Sequence, residues 1–175
     1  MKELSRRITS LIVRYIILVV VAIPTPWVFY LIFTPLTIYP VYFTLGLFFE
    51  TSLIGNIILI SGCFPIEIVG ACIGGSAYYL LFILNLATPK INLKKRATML
   101  FIAFLAFLIL NILRIILLSF MFVSGSIYLE IVHSFFWFFL STAFVVGIWF
   151  AEVKFFKIKE IPFYSDLKWI YNKTK

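Results

Sequence analysis

The chain has 175 residues, of which 63% are hydrophobic and only 13% charged, with a formal net charge of +8. That composition, with a mean hydropathy of +1.12, lies outside the range of soluble domains and points to a single unit that uses a bilayer as solvent. Nucleic-acid binding is excluded by the position of the basic residues beside apolar runs, a disulfide scaffold by two cysteines, and a zinc site by a single histidine.

Lys2, Arg6 and Arg7 precede an apolar run from Ile8 to about Phe33. The run exceeds the core of a cleaved signal and carries Pro24, Pro26 and Trp27 where small residues would be needed, so it is expected to be a first membrane span (8–33), kinked or ended by the prolines. Thr34 to Gly70 contains prolines and glycines but no lysine or arginine, and is expected to face outward. Within it, Asn56–Ile60 and Ile66–Val69 flank Ser61–Pro65 and predict two short strands around a turn, with Thr37–Thr51 as an interfacial or re-entrant segment.

Further spans are expected over 71–88, 97–123 and 133–151. Between the second and third lies the basic stretch Pro89–Arg96, expected to be a cytoplasmic loop, and from Glu152 onward a lysine-rich amphipathic tail with Trp169 and Tyr171 as interfacial anchors. Four basic residues (Lys2, Arg6, Arg7 and Arg14) belong to the start of the chain, four to the loop and six to the tail, leaving one of the 15, Arg114, without a topological reason. The fold expected is an all-α integral membrane protein of about four transmembrane helices, both termini cytoplasmic, with a β-hairpin-like or re-entrant element on the outer face before Cys72.

Helix counting brings three reactive side chains to one depth. Cys72 and His133 open the second and fourth spans from outside, and Arg114 lies 17 residues after Ala97, a rise of roughly 25 Å toward the same face. A cation or a helix N-terminus favours the nucleophilic thiolate of Cys72. The guanidinium of Arg114 suits a developing oxyanion, and His133 can exchange protons near neutral pH. Ser76, at i+4 from Cys72, is expected on the same face, while Asn111, Glu67 and Glu130 are potential partners of Arg114. Each residue also has a plain reading: Cys72 as small apolar filler, His133 as an interfacial residue, Arg114 as half of a structural ion pair. Cys63 is a turn residue or the disulfide partner of Cys72.

In their order and spacing, Ala71-Cys-Ile-Gly-Gly-Ser76, Asn111-Ile-Leu-Arg114 and His133 resemble the exosortase and archaeosortase family of membrane transpeptidases. The resemblance covers roughly Ser52 to Phe150 and looks like a minimal version of that family, with Ile73 where many members have Ser or Thr. It implies a cysteine protease and transpeptidase at the outer face of the plasma membrane, acting on membrane-anchored surface proteins through their C-terminal sorting signals. Transfer would go to an amine, a lipid or water without a diffusible cofactor. Two alternatives stand beside it: a non-catalytic assembly or scaffold subunit, and a thiol oxidoreductase using Cys63 and Cys72.

Overall fold

A computed structural model describes residues 9, 13, 16, 27–88 and 91–158. Its first long element, α1 (Trp27–Gly46), runs through Pro35 and Pro40. The helix therefore continues past the span end expected at about Phe33, and the interfacial segment expected over Thr37–Thr51 is largely helix. Thr34 donates to the Tyr30 carbonyl at 2.5 Å and Thr44 to the Pro40 carbonyl at 2.7 Å, bonds from each hydroxyl back to its own i−4 carbonyl rather than to the Leu31 and Leu36 carbonyls from which the prolines withhold a donor. Most of the expected 8–33 span lies outside the described residues, as does the tail beyond residue 158.

A three-stranded antiparallel meander follows: β1 (Thr51–Ile54), β2 (Ile57–Ile60) and β3 (Phe64–Glu67). The expected hairpin is present as β2 and β3, although β3 begins at Phe64 rather than Ile66 because Ile60 pairs with Phe64 across a three-residue turn. β1 is an addition, joined to β2 by the two-residue turn Gly55-Asn56, with Gly55 at φ +62. Ile58 and Ile60 of β2 are buried, whereas Ser52, Ile54, Pro65 and Glu67 face outward, so the sheet lays one face on the helices.

The segment expected as one span over 71–88 is two helices, α2 (Gly70–Ile73) and α3 (Gly75–Ala87). The break is at Gly74, whose left-handed φ of +72 is open to glycine at little cost. Gly75 is required by proximity instead: a Cβ there would lie 2.7 Å from the Tyr30 ring. α3 rises only about 20 Å over its 13 residues, less than a hydrocarbon core of about 30 Å.

α4 (Leu93–Val123) is 31 residues long and packs against α1, α3 and a last helix, α6 (Ser141–Phe155). It absorbs Lys94, Lys95 and Arg96, which form its first turn rather than a loop. The side chain of Arg96 donates to the backbone carbonyls of Asn85 and Thr88, satisfying carbonyls that the end of α3 leaves without helical partners. α5 (Leu129–Phe135) leads through a π-helical segment, Phe136–Leu140, directly into α6. The tail expected from Glu152 is still helix at that point, and Glu152 is buried at 3% exposure because its carboxylate accepts from Asn85 Nδ2 at 3.1 Å.

Two described helices, α1 and α4, are long and apolar enough to cross a membrane. Along α4 one stripe is exposed and apolar (Phe101, Leu105, Ile109, Leu113 and Leu117), while the inward stripe Met99, Ala103, Phe107, Asn111 and Arg114 turns polar toward one end. Apolar outside with polar groups inside is the arrangement suited to lipid, where helices associate through packing and interhelical hydrogen bonds. The packing centre is Tyr78, stacked on Phe33 at 3.5 Å between centroids and edge-on to Phe107 at 4.8 Å.

Candidate functional site

Four elements surround one cleft of about 210 Å³. β3 and the residue after it contribute Pro65, Ile66, Glu67 and Ile68, and α2 contributes Cys72. α4 supplies Arg114, Ile115, Leu118, Ser119 and Phe122, and α5 supplies Leu129 and His133. The cleft thus gathers a thiol, a guanidinium and an imidazole from stretches separated by 42 and 19 positions of sequence.

Cys72 lies in the first turn of α2, half-buried, and Cys63 is exposed in the β2–β3 turn; both are free thiols, so the alternative of a Cys63–Cys72 disulfide is not realised. Two contacts fix the position of Cys72. Gly74 ends α2 immediately after Ile73, and Asn111 Nδ2 donates to the carbonyls of Cys72 at 2.7 Å and Ile73 at 3.2 Å. Asn111 is 2% exposed, so these bonds are made away from water and anchor the thiol-bearing turn to α4.

Arg114, one turn beyond Asn111, is 6% exposed and close enough to Cys72 for the two side chains to interact electrostatically. In surroundings this poor in water such an interaction is stronger than at a surface. His133 is exposed and edge-on to Trp137, with ring centroids 6.3 Å apart. It does not open its helix as expected: α5 starts at Leu129, so His133 stands in its last turn, and Leu129 and His133 reach the cleft together at i and i+4.

The cleft includes Glu67 but leaves out three expected supporting residues: Asn111, which acts through the Cys72 and Ile73 carbonyls, Ser76 and Glu130. Ser76 falls on the far side of the Gly74 break; its hydroxyl faces Tyr30 OH at 3.4 Å and is not among the cleft residues, because the i+4 relation to Cys72 needs an unbroken helix. Glu130 is exposed on α5, one residue round the helix from Leu129, and is not among the cleft residues. Ser119, by contrast, lines the cleft without having been expected there, buried and donating to the Ile115 carbonyl at 2.8 Å. Its signal is positional: Asn111, Arg114, Ile115, Leu118, Ser119 and Phe122 follow a helical stripe from the one arginine that topology does not explain.

No family model, curated protein or solved structure matches the chain.

Proposed function

We propose that the chain is a cysteine-dependent membrane peptidase and transpeptidase of exosortase or archaeosortase type, a multi-pass protein of the plasma membrane with four spans and its cleft at the outer face. The observation that carries this reading is the common cleft of Cys72, Arg114 and His133.

In the reaction, the thiolate of Cys72 attacks the carbonyl carbon of a peptide bond in a membrane-anchored substrate, near its C-terminal sorting signal. The carbonyl electron pair moves to oxygen, and the buried guanidinium of Arg114 stabilises the oxyanion. The C–N bond then breaks, with the leaving amine taking a proton from His133, and a thioester remains on Cys72. An amine, a lipid hydroxyl or water gives its proton to His133 and attacks the thioester, and the C–S bond breaks, which releases the product and restores the thiolate and the protonated imidazole. Asn111 positions the nucleophile through the Cys72 carbonyl rather than touching the substrate.

The test is the rate of Cys72 alkylation by iodoacetamide at neutral pH in a Cys63→Ser chain. Replacing Arg114 or His133 with Ala is expected to slow it by about tenfold, since each replacement takes a partner of the nucleophile out of the cleft. A rate indifferent to both substitutions would favour the alternative of an assembly subunit with an inert thiol.

A further inference from the structure

Side chains alternate across a strand, so a border made of consecutive residues of one strand fits a cleft that runs along the strand's open edge. Pro65, Ile66, Glu67 and Ile68 border the cleft although Pro65 and Glu67 face outward and Ile68 faces the core. β3 is the end strand of the sheet, with β2 on its other side.

The hydrogen-bond register says which backbone groups are open. Ile68 N–H donates to Asn56 C=O at 2.9 Å, and Ile66 stands opposite Ile58, so residues 64, 66 and 68 turn their backbone groups toward β2. Ser61 N–H donates to Glu50 C=O at 2.7 Å, which fixes the opposite parity on the β1 side. Pro65 and Glu67 therefore direct theirs to the open edge: the C=O of Pro65, and both the N–H and C=O of Glu67. The proline, lacking a donor, sits at the edge where none is needed.

From this geometry we infer that the cleft takes its substrate as an extended peptide, added as a fourth strand along β3, with main-chain bonds to Pro65 and Glu67 leading the scissile bond to Cys72. The inference rests on the peptidase reading above and names how that site would hold its substrate. An edge strand beside a nucleophile is suited to this mode, since backbone bonds give affinity for any sequence and flanking pockets select alternate side chains. Leu118, Phe122 and Leu129 form the apolar wall for one such side chain. At the sheet end the exposed carboxylate of Glu67 favours a peptide that carries a lysine or arginine beside it.

The probe is a short extended peptide of Ala and Val ending in a chloromethyl ketone, used on the full Cys63→Ser chain in lipid nanodiscs. The Cys72 thiolate displaces chloride from the terminal carbon and leaves a thioether. Pro65 and Glu67 accept from peptide N–H groups two residues apart. Methylating the peptide nitrogens one at a time is expected to slow labelling by about fivefold to tenfold at two alternate positions and little at the one between. Glu67→Pro, which removes the edge donor but no bond to β2, is expected to lower the ratio of peptide to iodoacetamide rates by a similar factor. A lysine placed in the peptide beside Glu67 should label several-fold faster than a glutamate there. A methylation profile without alternation, on a chain whose Cys72 still reacts with iodoacetamide in an Arg114- and His133-dependent way, would overturn the docking mode and leave the peptidase reading standing. A thiol inert to both reagents would overturn both.

Discussion

Two buried charged residues sit at opposite ends of the described bundle, and their surroundings differ in kind. Arg114, on α4, opens onto a cleft that also holds a thiol and an imidazole. Glu152, on α6, is equally buried, but its first partner is Asn85, and the apolar cavity beside it is bordered by Ile102, Ala106, Ile148 and aromatic rings. Beside its bond to the Leu81 carbonyl within α3, Asn85 ties helices together: its side chain to Glu152, its carbonyl to Arg96, and the neighbouring Thr88 carbonyl to Arg96 at 2.9 Å. A buried charge is thus a weak sign of chemistry by itself; what separates the two ends is whether a second reactive group shares an accessible space with it.

The largest expected effects break the comparison at its two charges. If Arg114 stabilises an oxyanion, Arg114→Ala lowers the rate of substrate processing by about 10²–10³, or roughly 2.7–4 kcal/mol of transition-state stabilisation. Glu152→Ala leaves that rate within about twofold and instead weakens the fold by about 1–3 kcal/mol, because Asn85 Nδ2 loses its carboxylate partner inside the bundle. Rates on a sorting-signal substrate, measured beside reversible unfolding in detergent, separate the two. Loss of activity without loss of stability in the Glu152 variant would erase the distinction drawn between the ends.

A smaller effect sharpens the cleft end. Gly74→Ala puts a Cβ on a residue at φ +72 and within 3.1 Å of the Phe107 ring. A destabilisation of about 1–3 kcal/mol is expected from the backbone conformation and the contact together. Because the break at Gly74 sets where Cys72 stands, iodoacetamide labelling of Cys72 should change in the same variant, whereas Arg96→Ala, at the other end, should lower stability without altering labelling.

How much of this was legible in the sequence follows from which signals are local. The convergence of Cys72, Arg114 and His133 came from counting rise per residue along apolar runs, a count that tolerates errors of a few residues, so the early start of α5 did not spoil it. The β2–β3 turn was announced by Ser61-Gly62 between apolar runs, while β1 was missed although Gly55-Asn56 is a two-residue hairpin signal. α1 runs on past the expected end at Phe33, through Pro35 and Pro40, because proline limits a helix less in apolar surroundings than in water. Glu152 was read as tail because its charge is a local fact and its partner, Asn85, is 67 residues away.

Ser76 carries the smallest prediction and the most direct test of the corrected geometry. The resemblance to a Cys-x-Gly-x-x-Ser motif and the i+4 spacing both put it beside Cys72, but that spacing aligns side chains only along a continuous helix, and α2 ends at Gly74. Its hydroxyl instead faces Tyr30 OH across 3.4 Å at an exposed position, a contact long and wet enough to contribute little. Ser76→Ala is therefore expected to change stability by less than about 0.5 kcal/mol and Cys72 labelling by less than twofold. Asn111→Ala should slow labelling several-fold, because it frees the Cys72 and Ile73 carbonyls from α4. If the two variants exchanged these outcomes, the serine would have to reach the thiol, and the left-handed turn at Gly74 could not be the conformation in which the cleft works.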